Sequence, residues 1–425
     1  MTYCGLDFGT SNSLCTVEQN EGKGDITYIT FEGHHRNIPS AVFYPDGELD
    51  SPLFGRAALD HYLEGKDGRL LRGFKRLLGT KYFSSGTMLT ARNKLKFQDL
   101  FISFIQHVKR TAERQLDQEI SHVVFGRPVR FSSLATAHKS GEQDLHHIAH
   151  QIGFQHVEFQ FEPIASAFSH EKNVQKEKLA IVADIGGGTS DFSIVRLGPE
   201  RKHLVDRTDD ILANSGIALG GTDFDSMLAL GQVMGEFGYL SKYGSKQLNL
   251  PNWPYVVASD WNKIALELYA RQTYLSMKNL LPQAREPEKL QRFLQLIESR
   301  KGHHLLKLVE EAKIELSDKE AAVVDAFFLE STVHIPVHRA LFDQAMGDKI
   351  SQLTQTITEA LLAAQLKVED IDLIIMTGGA SEVPIVQQTF LDIFPAAELS
   401  ADNKLGSVCE GLLYDARRKF GKSRV

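Results

Sequence analysis

The chain has 425 residues, of which 42% are apolar and 24% charged, and its net charge is −7. This length is more than one hydrophobic core usually organises, so we expect two or more lobes. The composition is typical of a globular protein in water, the negative charge gives no support for nucleic-acid binding, and no run approaches the ~18 apolar residues of a membrane span. The three cysteines form no disulfide framework, which suits a reducing compartment. Together with the lack of a membrane-spanning run, this predicts a cytoplasmic protein with no membrane or nucleic-acid partner.

The first half of the chain alternates strand and helix patterns. Short apolar runs predict strands at residues 3–8, 13–18, 39–44, 122–129 and 157–161. Apolar residues at helical spacing predict helices at 98–118 and 138–152, and a run of small residues opens another helix at 162. The charged segment 171–178 follows, and it is the expected boundary between two lobes.

The second half begins with a predicted hairpin at residues 179–195 and continues with helical patterns from 222 to 317. Residues 372–384 predict a strand, a Gly-Gly turn and a helix, and residues 406–420 predict a final helix.

A short pattern is repeated at the start of each half. Both Asp7-Phe8-Gly9-Thr10-Ser11 and Asp184-Ile185-Gly186-Gly187-Gly188-Thr189 place an aspartate at a strand end, before a glycine turn and hydroxyl side chains. Such a turn exposes backbone N–H groups to an anion at close range, which suits a polyphosphate. Two carboxylates would repel that anion unless a divalent cation lay between them, so Asp7, Asp184 and Asp191 are predicted to surround Mg²⁺. The alternative is a pair of ordinary turns that use Asp and Gly as turn formers.

Six motifs occur in an order that is specific to one family. They are GLDFGTSNS (5–13), EPIASAF (162–168), DIGGGTSDFSI (184–194), LGGTDFD (219–225), EEAKIELS (310–317) and MTGGASEVPIV (376–386). Together they resemble the ATPase domain of the DnaK-type heat-shock chaperones, within the actin and sugar-kinase superfamily. FGRPVRF (125–131) and REPEK (285–289) resemble the YegD-type branch more closely.

The resemblance implies a two-lobed α/β fold of the actin-like ATPases, with duplicated ribonuclease H-like lobes around a nucleotide cleft. Residues 1–172 would form the first lobe, with an insert at about 39–117. Residues 173–398 would form the second lobe, with an insert at about 225–337. Residues 399–425 would return to the first lobe as a helix.

The resemblance also implies the roles of individual residues toward ATP or ADP and Mg²⁺. The first phosphate loop would comprise Asp7, Gly9, Thr10, Ser11 and Asn12, and the second Gly186, Gly187, Gly188 and Thr189. Gly220 and Gly221 would line the cleft, Glu310, Lys313 and Ser317 would hold the ribose and adenine, and Gly378, Gly379 and Ser381 would complete the adenosine pocket. Asp7, Glu162, Asp184 and Thr189 would serve the reaction, and Glu162 would also couple the nucleotide to lobe motion.

The sequence departs from the family pattern in three places. Leu59 stands where a Gly-x-Ala-Ala-Lys pattern has a lysine that positions water, and two arginines that sandwich adenine fall at Ile314 and Glu382. Arg56 and Lys75 could substitute for that lysine, although the family stretch that matches Lys75 is expected to be peripheral. No counterpart of the linker and peptide-binding domain follows the resemblance.

These features predict a nucleotide-driven clamp that hydrolyses ATP slowly or not at all and controls a protein partner of unknown identity. One alternative is a small-molecule kinase, which would need a base carboxylate and a polar pocket on the first lobe. Another is a nucleotide-locked scaffold that no longer turns over.

Overall fold

The structure is a computed structural model that describes residues 2–18, 26–46, 51–89, 94–129, 135–171, 174–201, 204, 206–400 and 406–421. The expected lobe boundary at residues 172 and 173 lies outside these ranges. The end of the FGRPVRF motif and the last residues of the chain, 422–425, also lie outside them.

The first half contains eleven strands and four α-helices within the described residues. The strands are β1 (Tyr3–Phe8), β2 (Asn12–Glu18), β3 (Ile26–Tyr28), β4 (Asn37–Pro39), β5 (Ala41–Pro45), β6 (Leu53–Phe54), β7 (Gly68–Arg72), β8 (Gly86–Met88), β9 (Lys94–Lys96), β10 (His122–Arg127) and β11 (His156–Phe161). The helices are α1 (Gly55–Leu63), α2 (Phe97–Leu116), α3 (Ala135–Gln151) and α4 (Glu162–Glu171).

The second half is richer in helix. Its strands are β12 (Lys178–Ile185), β13 (Ser190–Leu197), β14 (Ile211–Ile217), β15 (Lys242–Tyr243), β16 (Leu248–Asn249), β17 (Ala321–Ala326), β18 (Val333–His338), β19 (Leu373–Thr377) and β20 (Glu398–Leu399). Its helices are α5 (Gly221–Leu228), α6 (Trp253–Ala258), α7 (Trp261–Lys263), α8 (Arg271–Lys278), α9 (Pro287–Glu298), α10 (Gly302–Asp318), α11 (Arg339–Ala364), α12 (Pro384–Ile393) and α13 (Ser407–Phe420).

The central sheets of the two halves have the same topology. In the first sheet the strand order is β11-β10-β1-β2-β3, and β4 also pairs with β2. In the second it is β20-β19-β12-β13-β14. In both sheets an antiparallel three-strand meander is extended by two parallel strands on the side of its first strand. The expectation of two similar α/β lobes of the actin-like ATPase type is thus confirmed.

Smaller units interrupt each half between the meander and the parallel strands. In the first half they comprise a sheet of order β6-β5-β7, the β8–β9 hairpin and α1. In the second half they run from α5 to the β17–β18 hairpin and are mostly helical. These units occupy corresponding places in their lobes, because both are inserted after the third strand of a meander.

The last helix of each half covers the sheet of the other half. Ile164 and Phe168 of α4 pack against apolar side chains of β12, β13 and β19 in the second sheet. Leu412 and Leu413 of α13 pack against Tyr3 and Val124 of the first sheet. The two helices also pack on each other. The opposite face of each sheet is covered by the helices of its own half.

Among the described residues no helix combines the length and apolar character that a membrane crossing requires.

Candidate functional site

The two glycine turns predicted from the sequence meet face to face. Residues 9–11 connect β1 to β2, and residues 186–189 connect β12 to β13. A Cβ atom on Gly187 would lie well inside contact distance of the Ser11 Oγ. On Gly9 it would overlap the carbonyl oxygen of Asn12. The absence of side chains therefore lets the turn of each lobe close tightly and lets the two turns approach each other.

Two further glycine segments support the second turn through backbone contacts. The N–H of Gly221 donates to the Gly186 carbonyl oxygen at 2.9 Å, and the N–H of Thr222 donates to the Gly187 carbonyl oxygen at 2.7 Å. A Cβ on Gly220 would lie 2.5 Å from the amide nitrogen of Gly188. The start of α5 therefore lies directly beneath the turn and holds its shape.

The third segment, residues 378–381, follows β19 on the other side of the turn. Gly378 has φ +81°, which favours glycine, and a Cβ there would overlap the Ile185 carbonyl oxygen. The Ser381 hydroxyl donates to the Gly378 carbonyl oxygen at 2.7 Å. The Ser381 side chain therefore stabilises its own loop in this structure.

A cluster of carboxylates and one lysine lies behind the turns. Asp184 pairs in register with Asp191 across the β12–β13 hairpin, and the Nζ of Lys75 lies 2.9 Å from Oε1 of Glu162 at the start of α4. Burial raises the pKa of Asp7 to about 7, and the charges of Glu162 and Asp184 add to this rise while Lys75 opposes it. Burial, Asp184 and Glu162 raise the pKa of Asp191 to about 7, with Lys75 again opposing.

The pKa of Asp184 is raised in the same way as those of Asp7 and Asp191. Burial and the charge of Glu162 raise its pKa to about 6, although it accepts a hydrogen bond of 2.9 Å from the Thr377 hydroxyl and lies in the field of Lys75. Burial by itself would lower the pKa of Lys75. The negative charges of Glu162, Asp7 and Asp184 outweigh this effect, so the pKa of Lys75 is raised. One lysine thus faces several carboxylates, and the cluster fits an additional cation.

The described residues contain no group of three or more His, Cys, Asp or Glu side chains placed to hold a metal ion by themselves. A cation here would therefore need other ligands, and Mg²⁺ commonly takes only one or two carboxylates together with water and phosphate oxygens. The cluster is compatible with that kind of site rather than with an all-protein cage.

The expectation that Lys75 is peripheral is wrong. Gly73 follows β7 in a left-handed conformation, φ +62°, and turns the chain so that the 3₁₀ turn Phe74–Leu77 runs along the cleft. A Cβ on Gly73 would lie 3.8 Å from the Thr10 methyl group, which places this segment beside the first turn. Lys75 thereby reaches Glu162 and the carboxylate cluster.

Leu59, at the position of the family lysine, and Arg56, a possible substitute for it, lie elsewhere in the first insert. Leu59 packs against the small apolar cluster of Ala41, Phe43 and Ala58. Arg56 donates hydrogen bonds to the carbonyl oxygen of Asn37 at 2.7 Å and to its side-chain oxygen at 2.8 Å. The prediction that Leu59 leaves the cleft without a lysine therefore loses its basis.

Arg76 is a second cation that the sequence did not single out. Its Nη2 occupies the place where a Cβ of Gly188 would be, so the guanidinium lies directly against the second turn. The sequence does contain a signal for both residues. In "RGFKR" (72–76), Lys75 and Arg76 follow a glycine that comes directly after the end of a strand.

The predicted nucleoside residues lie on α10 and beside it, on the second lobe. The Nζ of Lys313 lies 2.7 Å from Oδ1 of Asp225 and 3.4 Å from the carbonyl oxygen of Gly221. A Cβ on Gly221 would lie 3.4 Å from Cβ of Ala380, so α5, α10 and residues 378–381 converge here. Lys313 is therefore tied to Asp225, whose pairing the sequence did not predict.

The other predicted nucleoside residues are partly exposed on the same side of the cleft. Ile314 is 59% exposed. Glu310 and Ser317 are half-buried, and Gly379 is exposed. The geometry brings these residues to one wall of the cleft.

Comparison with known proteins decides the family. The family model described as "Hsp70 protein" matches residues 3–242 and 288–405. The chain belongs to the Hsp70 family. This Hsp70-family chain is 27% identical over 399 residues to the chaperone protein DnaK of Thermosipho melanesiensis, an alignment that covers 92% of the chain and 54% of that protein. It is 26% identical over 418 residues to the DnaK of Halobacterium salinarum, covering 96% and 55% respectively.

The Hsp70-family chain spans about half the length of the curated relatives it matches. Residues 243–287 lie between the two stretches that the family model matches. The resemblance inferred from the six motifs is confirmed at the level of the family.

Proposed function

We propose that this chain is a nucleotide-driven clamp that binds ATP or ADP with Mg²⁺ between its lobes and hydrolyses ATP slowly. The observation that carries the proposal is the contact of the two glycine turns at Gly187 and Ser11, in front of a carboxylate cluster that has excess negative charge. A polyphosphate with its cation matches both features, because the turns offer N–H donors and the carboxylates favour a cation.

Each side chain has a defined task in this proposal. The turns at residues 9–11 and 186–189 hold the phosphates through backbone N–H groups and hydroxyls. Asp7, Asp184 and Asp191 surround the Mg²⁺, which when bound would offset phosphate charge. Lys75 adds a positive charge on the side of the first lobe, and phosphoryl transfer depends mainly on such positioning and electrostatics.

Glu162 provides a physical route from the nucleotide to the lobes. Its carboxylate binds Lys75, and it begins α4, the helix that packs on the second sheet and on α13. A change in the charge near Lys75 would therefore act on the helix that joins both lobes. We propose that this motion controls a protein partner, and that the chain belongs to the YegD-type branch and acts in the cytoplasm.

Lys75 provides the direct test of turnover. Lys75→Ala should lower the single-turnover rate of ATP hydrolysis by roughly 10²–10³-fold, the typical cost of one well-placed charge-stabilising group. Leu59→Lys should leave the rate unchanged, because Leu59 packs within the insert. Lys66→Ala, at an exposed position of the first insert, is the matched control.

Calorimetry with ATP, ADP and Mg²⁺ should accompany these rates. A parent protein that binds no nucleotide would refute the clamp, and full activity in Lys75→Ala would refute the role of that lysine. Release of a phosphorylated metabolite instead of phosphate, from ATP and a metabolite mixture, would favour a kinase.

A further inference from the structure

We infer that Arg72, stacked on Trp261, binds the nucleoside part of the nucleotide and sets the affinity for it. This inference rests on the proposed function and assigns it a residue that none of the six sequence motifs contains. Arg72 is the last residue of β7, directly before the Gly73 turn that leads to Lys75 and Arg76. It therefore extends the basic segment of the first lobe toward the α10 side of the cleft.

The contact of Arg72 with Trp261 joins the two inserts. The guanidinium carbon lies 4.4 Å from the centre of the indole ring. The indole is held in turn by the ring of His303, with centroids 4.6 Å apart in an edge-to-face arrangement. A guanidinium at this distance from an indole ring is attracted by the ring quadrupole, so this contact holds Arg72 beside Trp261.

Among the described residues, none accepts a hydrogen bond from the side chain of Arg72. Within the described part of the chain its guanidinium has no hydrogen-bond or ion-pair partner, although Arg72 is half-buried. A guanidinium has five N–H donors, so a half-buried Arg72 can offer several of them to a ligand. Burial lowers the pKa of Arg72, and the charges of Glu310 and Asp225 oppose that effect. The unused donors thus lie in the field of two residues on the nucleoside wall.

The ammonium group of Lys313 already binds Asp225 at 2.7 Å and the Gly221 carbonyl oxygen at 3.4 Å, which leaves one of its three N–H donors for a ligand. Arg72 is better suited to a planar acceptor, since its fork matches two acceptor atoms at once and its faces stack on aromatic rings. The ligand chemistry that fits is a nucleobase with its ribose, which offers both a ring and acceptor atoms.

Trp261 lies in a part of the chain that the family model does not match. It lies within residues 243–287, between the two stretches that the family model matches. The Arg72–Trp261 pair therefore combines a residue of the matched first half with one from outside the matched region. The site is complete only when the two inserts are in contact.

The experiment compares Mg·ATP with Mg·tripolyphosphate, which has the phosphates without the nucleoside, by calorimetry on the full chain. Arg72→Ala should weaken ATP binding about tenfold or more, the effect of losing a hydrogen bond to a charged donor, and should change tripolyphosphate binding by less than about twofold. Arg72→Gln is a second variant that keeps most of the side-chain length. Arg69→Ala, exposed on the same strand, is the matched control and should change neither affinity.

Three outcomes would overturn the inference. An equal loss for both ligands would mean that Arg72 contacts phosphates or only holds the inserts together. Unchanged ATP affinity in both Arg72 variants would show that the side chain does not contact the ligand. If the Arg72 variants lose affinity for ATP but Trp261→Leu does not, then the contact with Trp261 does not position the guanidinium. Failure of the parent to bind either ligand would instead refute the proposed function.

Discussion

Single glycines determine how closely the two lobes approach at the turns. Gly187 lies against the Ser11 hydroxyl, so this contact crosses between the lobes. Gly9 and Gly220 act within their own lobes, against backbone atoms. A side chain at Gly187 would therefore act on the closure of the cleft as well as on its ligand.

We predict that Gly187→Ala weakens ATP binding by at least about tenfold and lowers the midpoint of thermal unfolding, because overpacking typically costs about 1–3 kcal/mol. Ser11→Gly in the same chain removes the atom that the new methyl group meets. The double variant should therefore recover part of the thermal midpoint.

Titration calorimetry would measure the affinity for ATP, and differential scanning calorimetry would measure the midpoint of thermal unfolding. A double variant no more stable than Gly187→Ala would show that Ser11 is not the source of the strain.

At the scale of elements, α4 and α13 cross at a glycine, Gly411, where their backbones are in close contact. A Cβ on Gly411 would overlap the carbonyl oxygen of Ala165. Gly5 of β1 makes room for α13 in the same way, since a Cβ there would lie 2.5 Å from the amide nitrogen of Leu413. These are backbone contacts, so a neighbouring side chain cannot move aside to relieve them.

We predict that Gly411→Ala destabilises the protein by about 1–3 kcal/mol or more, as expected for overpacking against backbone. Gly347→Ala is the matched control, because Gly347 also lies inside a helix but has nothing within 4 Å of the place that a Cβ would take. It should stabilise the protein by about 0.5–1 kcal/mol through helix propensity.

Urea unfolding followed by circular dichroism would measure both changes. Equal effects of the two substitutions would contradict the crossing described here.

Much of the fold can be predicted at this scale, and the reason is local. The strands and glycine turns at residues 3–18 and 179–195 are recognisable because apolar runs, aspartates and glycines follow one another in sequence. The small sheet β6-β5-β7 is mostly missed, since two of its strands are short or charged. The position of Lys75 is missed because it depends on the turn at Gly73 and on Glu162, which is far away in sequence.

At the scale of the whole molecule, the two inserts touch across the cleft. The Nζ of Lys301 donates to the Leu63 carbonyl oxygen at 3.4 Å, and the Tyr62 hydroxyl lies 3.0 Å from Nδ1 of His303. His303 also donates from Nε2 to the Trp261 carbonyl oxygen at 2.9 Å. In its neutral form the ring can donate at Nε2 and accept from the Tyr62 hydroxyl at Nδ1.

This contact predicts a dependence of stability on pH. Burial lowers the pKa of His303 to about 4, the hydrogen bond to Trp261 opposes this, and the charge of Arg72 adds to it. Between about pH 6.5 and 4 the unfolded chain therefore binds a proton that folded His303 does not, so stability falls as the pH is lowered, by up to about 1.4 kcal/mol per pH unit.

His303→Gln should reduce the loss of unfolding free energy between pH 7 and pH 5, whereas His34→Gln, at an exposed position, should leave it unchanged. Urea unfolding at the two pH values measures both. An identical pH dependence in parent and His303→Gln would exclude this histidine as a source.

The exchange of helices between the lobes also has a consequence for synthesis on the ribosome. The first sheet leaves the ribosome early, but α13, which covers Tyr3 and Val124, is made after all the other elements described here. Folding of the amino-terminal half therefore cannot finish before α13 has been made, and the uncovered apolar face of its sheet needs protection until then. A protein whose relatives are chaperones thus has, in its own topology, a reason to be a client of one.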